Sequence, residues 1–201
     1  MQKIEDFFDR TFGTWKTDPI GFELKENAKP ICSRPYPVVT LHKEMFKTEV
    51  DGLVLHGLLR VASDSEWGAP SFAQPKPKSN RIRFLSDIRN LNKQLKQKPY
   101  PIPKTNEMLL KLEGFNYAAS LDLNMGYYHV VISENAGNLC TIIIPLGKYG
   151  YKRLRTGVSN SADIFQKKMN GLFHGFEFIR ACIDDLSILT KGNCKYHIQN
   201  I

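Results

Sequence analysis

The stretch Glu177-Phe-Ile-Arg-Ala-Cys-Ile-Asp-Asp-Leu-Ser-Ile-Leu-Thr190 contains two apolar runs separated by one pair of acidic residues. Runs of this length, rich in isoleucine and leucine, favour β-strands over Glu177–Ile183 and Leu186–Thr190. Because aspartate is common in tight turns, the sequence predicts a hairpin whose two turn residues are Asp184 and Asp185.

A third carboxylate comes from an earlier part of the chain, where a strand is predicted over Tyr117–Asp122. If this strand and the hairpin are neighbours in one sheet, Asp122 lies beside Asp184 and Asp185. Carboxylates that lie so near to one another repel, and this repulsion raises their pKa values unless a cation compensates. Two Mg²⁺ ions about 3.5–4 Å apart are the usual partner when the reaction is in-line displacement at phosphorus. The alternative interpretation is an ordinary polar turn, with Asp122 capping the segment that follows it.

Helical spacing of apolar residues predicts two amphipathic helices. The first covers residues 41–56 and ends at Gly57, which suits a C-terminal cap. The second contains Ile164, Phe165, Met169, Leu172 and Phe173, with Ser159, Asn160 or Ser161 as its N-cap and Asp163 in its first turn. A shorter helix that includes Met108 and Leu112 is predicted to end at Gly114.

Short strands are predicted in the first half of the chain at 58–62, 71–74 and 82–85. The polar turn Lys76–Asn80 joins the last two into a hairpin with a basic tip. Tyr127–Ile132 and Thr141–Pro145 are also rich in β-forming residues, so both are expected to be extended.

The positive charge of the chain is concentrated in one segment. The whole chain of 201 residues has 28 Lys and Arg against 20 Asp and Glu, a net charge of +8. From Lys76 to Lys104 there are nine basic residues and one acidic residue, Asp87, so this segment alone carries +8. Such a segment favours a polyanionic partner such as nucleic acid, the alternative being a solvated basic surface.

The cysteine spacing and the N-terminus bear on the cellular compartment. The four cysteines show no CxxC spacing, and no histidine pair has the spacing of zinc ligands. Met1–Gly13 has acidic residues where a signal peptide needs basic ones, and no run approaches the ~20 apolar residues of a membrane span. These features predict an intracellular protein with reduced thiols and no membrane segment.

Five segments follow one another in a characteristic order. They are Arg83-Phe-Leu-Ser-Asp-Ile-Arg-Asn-Leu-Asn-Lys93, Pro99-Tyr-Pro-Ile-Pro103, Tyr117-Ala-Ala-Ser-Leu-Asp-Leu-Asn-Met-Gly-Tyr-Tyr-His129, Gly157-Val-Ser-Asn-Ser-Ala-Asp-Ile-Phe-Gln166 and Ile183-Asp-Asp185. They resemble, in turn, the RFxxDxRxLN fingers motif, the YPIP-type linker, the first catalytic motif, the GLxNxPxxFQ motif and the core of YxDD. In order and spacing, over about residues 33–192, the chain resembles the reverse transcriptases of gypsy-like LTR retrotransposons.

The resemblance implies an α+β fold: the fingers and palm of a right-hand polymerase, with an antiparallel palm sheet packed on helices and the thumb absent. It divides the chain into an N-terminal extension (1–32), mainly fingers (33–116), mainly palm with the catalytic motifs (117–192) and a truncated tail (193–201). Within the fingers it implies the helix at 41–56, the basic hairpin at 71–85 and a linker at 93–104.

The implied function is that of a nucleotidyltransferase that synthesises DNA from dNTPs on a primed RNA or DNA template. Asp122, Asp184 and Asp185 are the implied catalytic and metal-binding residues, and the cofactor is a pair of Mg²⁺ ions, with Mn²⁺ as a substitute. The implied compartment is the cytoplasm, within a virus-like particle, or the nucleus. Another chain could supply a thumb or RNase H part.

The resemblance also assigns binding residues. For the incoming nucleotide they are Lys76, Arg83, Leu123, Tyr127 and Gly157; the first two contact the triphosphate and Tyr127 excludes a 2′-hydroxyl. For the nucleic acid they are Arg89, Lys93, Lys96, Lys98, Gln166 and Ile183, with Gln166 bracing the acidic motif from its helix. A basic pair at the triphosphate makes physical sense because Arg binds phosphate in a bidentate manner and Lys acts as a point charge.

The chain departs from the family pattern at several positions. Cys182 stands where YxDD has its tyrosine, Ile88 replaces an aromatic residue, Arg155-Thr156 replaces Pro and Phe or Met, and Ala162 replaces a common proline. These departures favour an alternative in which a degenerate, inactive copy only binds nucleic acid. A metal-dependent nuclease would use the same carboxylates but lacks a fourth acidic ligand, and a non-catalytic RNA-binding sheet with exposed aromatics is the remaining alternative.

Overall fold

The computed structural model describes residues 13–75, 82–103 and 114–201. The tip of the predicted basic hairpin, including Lys76, and the predicted helix around Met108 lie outside these residues. The chain forms two compact units, Met1–Lys96 with Tyr128–Val158 (the first unit) and Gln97–Tyr127 with Ser159–Ile201 (the second unit). Both contain sheet and helix, which confirms the α+β class.

Strands and helices are numbered here in chain order within the described residues. The strands are β1 Leu59–Val61, β2 Ala69–Pro75, β3 Ile82–Ser86, β4 Tyr117–Asp122, β5 Ile142–Ile144, β6 Gly147–Tyr151, β7 Ile179–Cys182 and β8 Asp185–Thr190. The helices are α1 Lys43–Leu55, α2 Arg89–Gln94, α3 Glu134–Leu139, α4 Ser161–Leu172 and α5 Cys194–Gln199. Short 3₁₀ helices cover Thr40–His42 and Gly126–His129.

The first unit is built on a sheet with the strand order β1-β6-β5-β2-β3. The β2–β5 pair is parallel and the other pairs are antiparallel. Helix α1 packs on this sheet because Phe46 and Val50, four residues apart, share one helix face. They form a core cluster with Ile82 and Ile144, and the Phe46 and Phe84 rings lie 5.3 Å apart. Gly57, with φ of 67°, ends the helix as its sequence position predicts.

The segment before α1 is part of the first unit. It pairs with the rest of the unit through isolated bridges, Ile20 with Ile132, Leu24 with Leu95 and Cys32 with Gly68. Backbone hydrogen bonds support these bridges, including Ser33 N–H to Gly68 O at 2.9 Å.

Three elements of the first unit, β6, α2 and α3, have no counterpart in the sequence-based prediction. Strand β6 and helix α3 were not predicted, since glycine is depleted in strands and α3 is only six residues long. Their glycines explain the packing: a Cβ on Gly150 would lie 3.1 Å from Gly137 O, so the helix and the strand touch through backbone. The Ser133 side chain caps α3 by accepting from Ala136 N–H at 3.2 Å, a signal that was present in the sequence.

The expectation that Tyr127–Ile132 is extended is wrong. Its first half belongs to the 3₁₀ helix Gly126–His129, and only Val131 and Ile132 form isolated bridges. Gly126 packs closely, since a Cβ there would lie 2.9 Å from Phe165 Cζ. Tertiary packing around this glycine therefore overrides the β-propensity of the residues that follow.

The second unit contains a sheet with the order β4-β8-β7, in which both pairs are antiparallel. Helix α4 contacts β7, and α5 contacts β4 and β8. This confirms an antiparallel sheet packed on helices. The segment 193–201, expected as a tail, forms α5: the Asn193 side chain caps it by accepting from Tyr196 N–H at 2.9 Å, and His197 Nδ1 lies 2.8 Å from Thr190 Oγ1.

Over residues 13–75, 82–103 and 114–201, none of the helices is both long and apolar enough to cross a lipid bilayer. All four cysteines have free thiols.

Candidate active site

The sheet of the second unit brings the predicted carboxylates together at one end. In the β4–β8 register Asp122 lies directly opposite Asp185, and Asp184 precedes Asp185 in the turn. The Leu123 N–H donates to Asp184 O at 2.9 Å, which extends the pairing past the end of the strand. Directly paired residues of antiparallel strands have Cα atoms about 4.5–5.5 Å apart, so the three carboxylates arise from one small patch of backbone.

The turn of the hairpin is shifted by one residue from the prediction. Cys182 pairs with Asp185, so the two turn residues are Ile183 and Asp184, whereas Asp184 and Asp185 were expected. Ile183 has φ of 54°, a left-handed conformation that is unusual for a β-branched residue. The shift matters because it places Asp185 in the strand, opposite Asp122.

A buried glutamine on α4 holds this turn. Gln166 is 0% exposed, and its Oε1 accepts from the Ile183 N–H at 2.7 Å. Its Nε2 donates to Ala181 O at 3.0 Å and to Asn170 Oδ1 at 2.8 Å. The bracing role that the resemblance assigned to Gln166 is supported by these bonds, while direct contact with nucleic acid remains a prediction for Gln166 and Ile183.

Asn170 was missed at the sequence level, although its position four residues after Gln166 puts both side chains on one helix face. Its Nδ2 also donates to Tyr100 Oη at 3.0 Å. The Tyr100 N–H in turn donates to Asp163 Oδ1 at 2.7 Å, so the acidic residue in the first turn of α4 fixes the YPIP-type segment.

Tyr127 forms a half-buried wall beside the acidic patch. Its ring stacks on Phe165 with centroids 4.6 Å apart and planes 20° from parallel. Burial raises the pKa of the Tyr127 hydroxyl, and the negative charges of Asp184 and Asp163 raise it further. The phenol is therefore a neutral hydrogen-bonding group at physiological pH.

The cysteine that replaces the tyrosine of YxDD completes a row across the sheet. Asp122, Asp185 and Cys182 are paired in succession across β4, β8 and β7, so their side chains share one face. Burial raises the pKa of the Cys182 thiol, as do the charges of Asp185 and Asp184. The sulfur lies 3.6 Å from Pro103 O, to which it donates.

The residue types at this site fit a hard divalent cation, because aspartate oxygens are the ligands that Mg²⁺ prefers. As the side chains stand, no group of three His, Cys, Asp or Glu residues within the described ranges is gathered closely enough to hold an ion.

The first unit contains the other nucleotide-binding candidates that the structure describes. Arg83 is exposed on β3 and pairs in register with Gln74. Gly157 has φ of 92°, and a Cβ there would lie 3.3 Å from Ile88 Cδ1. Asn92, another residue not singled out from the sequence, donates from Nδ2 to Gly157 O at 2.9 Å and so fixes this loop.

A groove of about 820 Å³ runs past Gly157. Its lining includes Tyr36, Phe72, Ile88, Arg89 and Asn92. The Tyr36 and Phe72 rings meet edge to face at 5.8 Å.

Arg89 at the groove is bound to Asp87 in a bidentate manner, Nε to Oδ1 at 2.8 Å and Nη2 to Oδ2 at 2.6 Å. The Arg89 hydrogen bond is the main reason that the pKa of Asp87 falls from 3.8 to about 2. The pair leaves the Arg89 side chain 82% exposed, so it can still meet an anion.

The lysines of the predicted basic surface are exposed, whereas Arg155, which stands where the family pattern has another residue, is buried. Lys93, Lys96 and Lys98 are all exposed. Arg155 is only 8% exposed, its guanidinium lies 4.7 Å over the Tyr151 ring, and its Nε donates to Thr156 O at 3.1 Å. Arg155 therefore supports the loop before Gly157 from inside the first unit.

Known proteins resemble this chain in sequence and in fold. Residues 74–201 match the family model described as reverse transcriptase (RNA-dependent DNA polymerase). Similar curated proteins include the retrovirus-related Pol polyprotein from transposon 297 of Drosophila melanogaster, 30% identical over 81% of this chain and 16% of its own length. The enzymatic polyprotein of Soybean chlorotic mottle virus is 30% identical over 90% of this chain and 27% of its length. The Pol polyprotein from the Drosophila transposon gypsy is 26% identical over 86% of this chain and 17% of its length.

Among solved structures, the fold is similar to that of the foamy viral protease-reverse transcriptase in complex with an RNA/DNA hybrid. The TM-score is 0.85 at 21% identity, over 98% of this chain and 27% of that one. The chain thus spans little more than a quarter, at most, of the curated relatives and solved structures named here. The family match covers more than half of the chain and includes the row of Asp122 and Asp185, and on these grounds the chain belongs to the reverse transcriptase family.

Proposed function

We propose that this chain carries out template-directed DNA synthesis from dNTPs by a two-metal mechanism. The observation that carries the proposal is the direct pairing of Asp122 with Asp185, with Asp184 in the adjoining turn. Asp122, Asp184 and Asp185 would hold the ions, Mg²⁺ or Mn²⁺. When bound, such ions lower the pKa of an attacking hydroxyl and neutralise the charge on the transferred phosphoryl group and the leaving pyrophosphate.

The chain's own residues position the reactants. Gln166 fixes the backbone of the turn that carries Asp184, and positioning errors of 1 Å can lower a rate about 100-fold. Tyr127, stacked against Phe165, supplies a flat wall beside the carboxylates that would exclude a 2′-hydroxyl. Lys76 and Arg83 are proposed to bind the triphosphate, and Leu123 and Gly157 to contact the nucleotide.

The groove of the first unit is proposed to hold a nucleic-acid strand. Aromatic side chains such as Tyr36 and Phe72 offer surfaces on which bases stack, and Arg89 offers a cation to the phosphates. Lys93, Lys96 and Lys98 would extend the electrostatic contact. The proposed partners are therefore a primed RNA or DNA template and dNTPs.

The second candidate function is nucleic-acid binding without catalysis. Cys182 in the row of Asp122 and Asp185 favours it, because the aromatic residue of the family pattern is missing there. Arg155-Thr156 likewise changes the loop before Gly157. Both changes act on positioning, so under this second candidate the chain binds primer–template but extends it weakly or not at all.

Primer extension on RNA and DNA templates with Mg²⁺ or Mn²⁺ separates the two candidate functions. The assay is run with the chain alone and again with a thumb-containing fragment added in trans. Synthesis that is lost in Asp184→Asn and Asp122→Asn supports catalysis. Asp64→Asn, which alters an exposed aspartate of the first unit, is the matched control and should leave synthesis unchanged. Binding of primer–template without extension, with either metal and with the added fragment, would establish the second candidate instead.

A further inference from the structure

The YPIP-type segment, Pro99–Pro103, is bonded to helix α4 at two levels. The Tyr100 N–H donates to Asp163 Oδ1 at 2.7 Å, and Tyr100 Oη accepts from Asn170 Nδ2 at 3.0 Å. Asp163 and Asn170 are seven residues apart, about two turns and 10 Å of helix, so they lie on one face of α4. A single tyrosine thus spans that face and fixes the direction of the segment along the helix.

The Tyr100 hydroxyl is the far end of a chain of hydrogen bonds that reaches the acidic hairpin. Asn170 Oδ1 accepts from Gln166 Nε2 at 2.8 Å, and Gln166 Oε1 accepts from the Ile183 N–H at 2.7 Å. Ile183 immediately precedes Asp184 in the turn. Three side chains therefore connect the YPIP-type segment with the backbone beside Asp184.

The backbone of the hairpin leaves one orientation for each amide in this chain. The Ile183 N–H can only donate and Ala181 O can only accept, which fixes the Oε1 and Nε2 ends of the Gln166 amide. The second Nε2 hydrogen then needs an acceptor, and Asn170 Oδ1 supplies it. Asn170 Nδ2 is thereby turned toward Tyr100 Oη. Because Gln166 is 0% exposed, its amide depends on these protein partners.

The same segment also reaches the hairpin directly. The Cys182 thiol donates to Pro103 O at 3.6 Å, a weak bond from the residue that pairs with Asp185. The segment is thus linked to both residues that precede Asp184, to Cys182 by one contact and to Ile183 through the amide chain.

The turn that these contacts reach is strained. Ile183 has φ of 54°, in a region that β-branched residues rarely adopt. Such a conformation persists only where surrounding contacts hold it. Since the Gln166 bond is made to Ile183 itself, the firmness with which Gln166 is held decides how firmly the turn and Asp184 are placed.

We propose that Tyr100 is a positioning residue for the turn that carries Asp184. It acts through two side chains: its hydroxyl holds Asn170, Asn170 orients Gln166, and the Gln166 amide holds the turn. The catalytic half of this proposal rests on the proposed function, because only there does the placement of Asp184 set a rate. The structural half, the coupling between Tyr100 and Ile183, is measured without any reaction.

The test measures amide hydrogen exchange of the ¹⁵N-labelled 201-residue chain by NMR, without metal, dNTP or nucleic acid. Tyr100→Phe removes the hydroxyl but keeps the ring and the backbone bond to Asp163. We expect exchange of the Ile183 N–H to accelerate about threefold, within the scale of one neutral hydrogen bond. The Leu189 N–H, which donates to Phe178 O at 2.8 Å on the same hairpin, should keep its rate. Equal acceleration at both amides would mean general loosening and would overturn the proposal, as would an unchanged rate at Ile183.

The route of the coupling is tested in the background of Gln166→Met, where the link to the turn is cut. There the Ile183 N–H should exchange faster than in the wild type, and adding Tyr100→Phe should change its rate no further. A threefold effect of Tyr100→Phe in both backgrounds would show that Tyr100 acts by another route and would contradict the proposal.

Three more variants separate hydrogen bonding from packing. Asn170→Asp keeps one oxygen that accepts from Gln166 Nε2, and its other oxygen can accept from the Tyr100 hydroxyl, so exchange at Ile183 should stay slow. Asn170→Ala removes both bonds and should accelerate exchange at least as much as Tyr100→Phe. Tyr196→Phe, at an exposed tyrosine of the same unit, is the matched control and should leave the Ile183 rate unchanged. If Asn170→Asp exchanges as fast as Asn170→Ala, the amide chain does not carry the coupling.

The outcome is separable from that of the proposed function. In a preparation that extends primers, Tyr100→Phe should lower kcat and kcat/KM for dNTP by a similar factor with KM unchanged, because the placement of Asp184 counts in the transition state. A wild-type kcat in Tyr100→Phe would contradict the positioning role. Coupling between Tyr100 and Ile183 in a chain that never extends a primer supports that coupling and contradicts catalysis. Extension that is lost in Asp184→Asn, with an Ile183 exchange rate that does not respond to Tyr100→Phe, supports catalysis and contradicts the positioning role.

Discussion

The Ile183 N–H donates to the side-chain oxygen of Gln166 at 2.7 Å, which ties the hairpin turn that carries Asp184 to a buried position on helix α4. We expect Gln166→Met, which keeps the volume but removes the polar atoms, to leave the Ile183 N–H and Ala181 O without partners. Each buried group without a partner costs about 1–3 kcal/mol, so the free energy of unfolding should fall by about 2–3 kcal/mol. Urea unfolding followed by circular dichroism measures this loss.

The matched control for Gln166→Met is Asn170→Ala. Asn170 is exposed and contributes one bond to Gln166, so water can replace its contacts and the loss should stay below about 1 kcal/mol. Equal losses in the two variants would show that the turn does not depend on Gln166.

The ion pair at the groove predicts a stability difference that disappears in acid. The pKa of Asp87 is lowered from 3.8 to about 2, chiefly by the Arg89 hydrogen bond. A carboxyl whose folded pKa is depressed stabilises the fold above pH 3.8, and this stabilisation is lost as the pH falls from 3.8 to about 2. Arg89→Gln should therefore be less stable than the wild type near neutral pH, with the difference vanishing over that window.

Carboxyl ¹³C titration by NMR tests the same pair directly, since the pKa of Asp87 should return toward 3.8 in Arg89→Gln. Arg83→Gln, which removes an exposed arginine from β3, should leave the pKa of Asp87 low. If Asp87 titrates alike in the wild type and in Arg89→Gln, the bidentate pair does not form in solution.

The exposed lysines in the last turn of α2 and just after it predict a salt-dependent contact with nucleic acid. Replacing Lys93, Lys96 and Lys98 together with alanine should reduce the slope of log affinity against log salt by about 0.9 for each duplex phosphate contact that is lost. Anisotropy titrations over a series of salt concentrations give the slope. The control for net charge is a triple alanine variant at three other exposed lysines, Lys43, Lys47 and Lys167. Equal slopes in the two triple variants would show that Lys93, Lys96 and Lys98 are a solvated surface.

The four thiols should differ in reactivity. Cys32 and Cys194 are exposed and should react first with a disulfide reagent. Cys182 should react more slowly, because burial and the neighbouring aspartates raise its thiol pKa. Cys140 is fully buried with its pKa raised to about 12 and should react only after unfolding. Counting modified cysteines by mass spectrometry, with and without urea, checks this order; early modification of Cys140 would contradict the packing of the first unit.

The parts of the fold that the sequence predicted correctly are those with a strong apolar period. Phe46 and Val50 mark the buried face of α1, and Phe165 and Met169 mark that of α4. The position of Asp122 beside the hairpin that carries Asp184 and Asp185 was also predicted, because the end of one strand and the tip of a hairpin in the same sheet can meet at one end of that sheet. Local pattern was sufficient wherever burial on one face decided the structure.

The errors came from contacts between distant residues. The turn was placed on Asp184 and Asp185 by turn propensity, but the left-handed Ile183 is held by Gln166, 17 residues earlier in the chain. In the same way, Tyr127 was expected in a strand, yet it lies in a 3₁₀ helix stacked on Phe165. The turn or strand propensity of a residue carries no information about the distant side chain that contacts it, here Gln166 for Ile183 and Phe165 for Tyr127.

The left-handed φ of Ile183 predicts that a glycine variant at this position is more stable than an alanine variant, which is the reverse of the order in an ordinary strand. Alanine at this position keeps the strained backbone, which costs about 1–2 kcal/mol, whereas glycine does not, so Ile183→Gly should be about 1 kcal/mol more stable than Ile183→Ala. Ile179, in β7, has no left-handed φ, and there the order should reverse, with alanine about 0.5–1 kcal/mol more stable. Urea unfolding of the four variants measures both differences, and the same order at both positions would contradict a left-handed turn. Because glycine also frees the backbone beside Asp184, Ile183→Gly should lower any primer extension even where stability is regained.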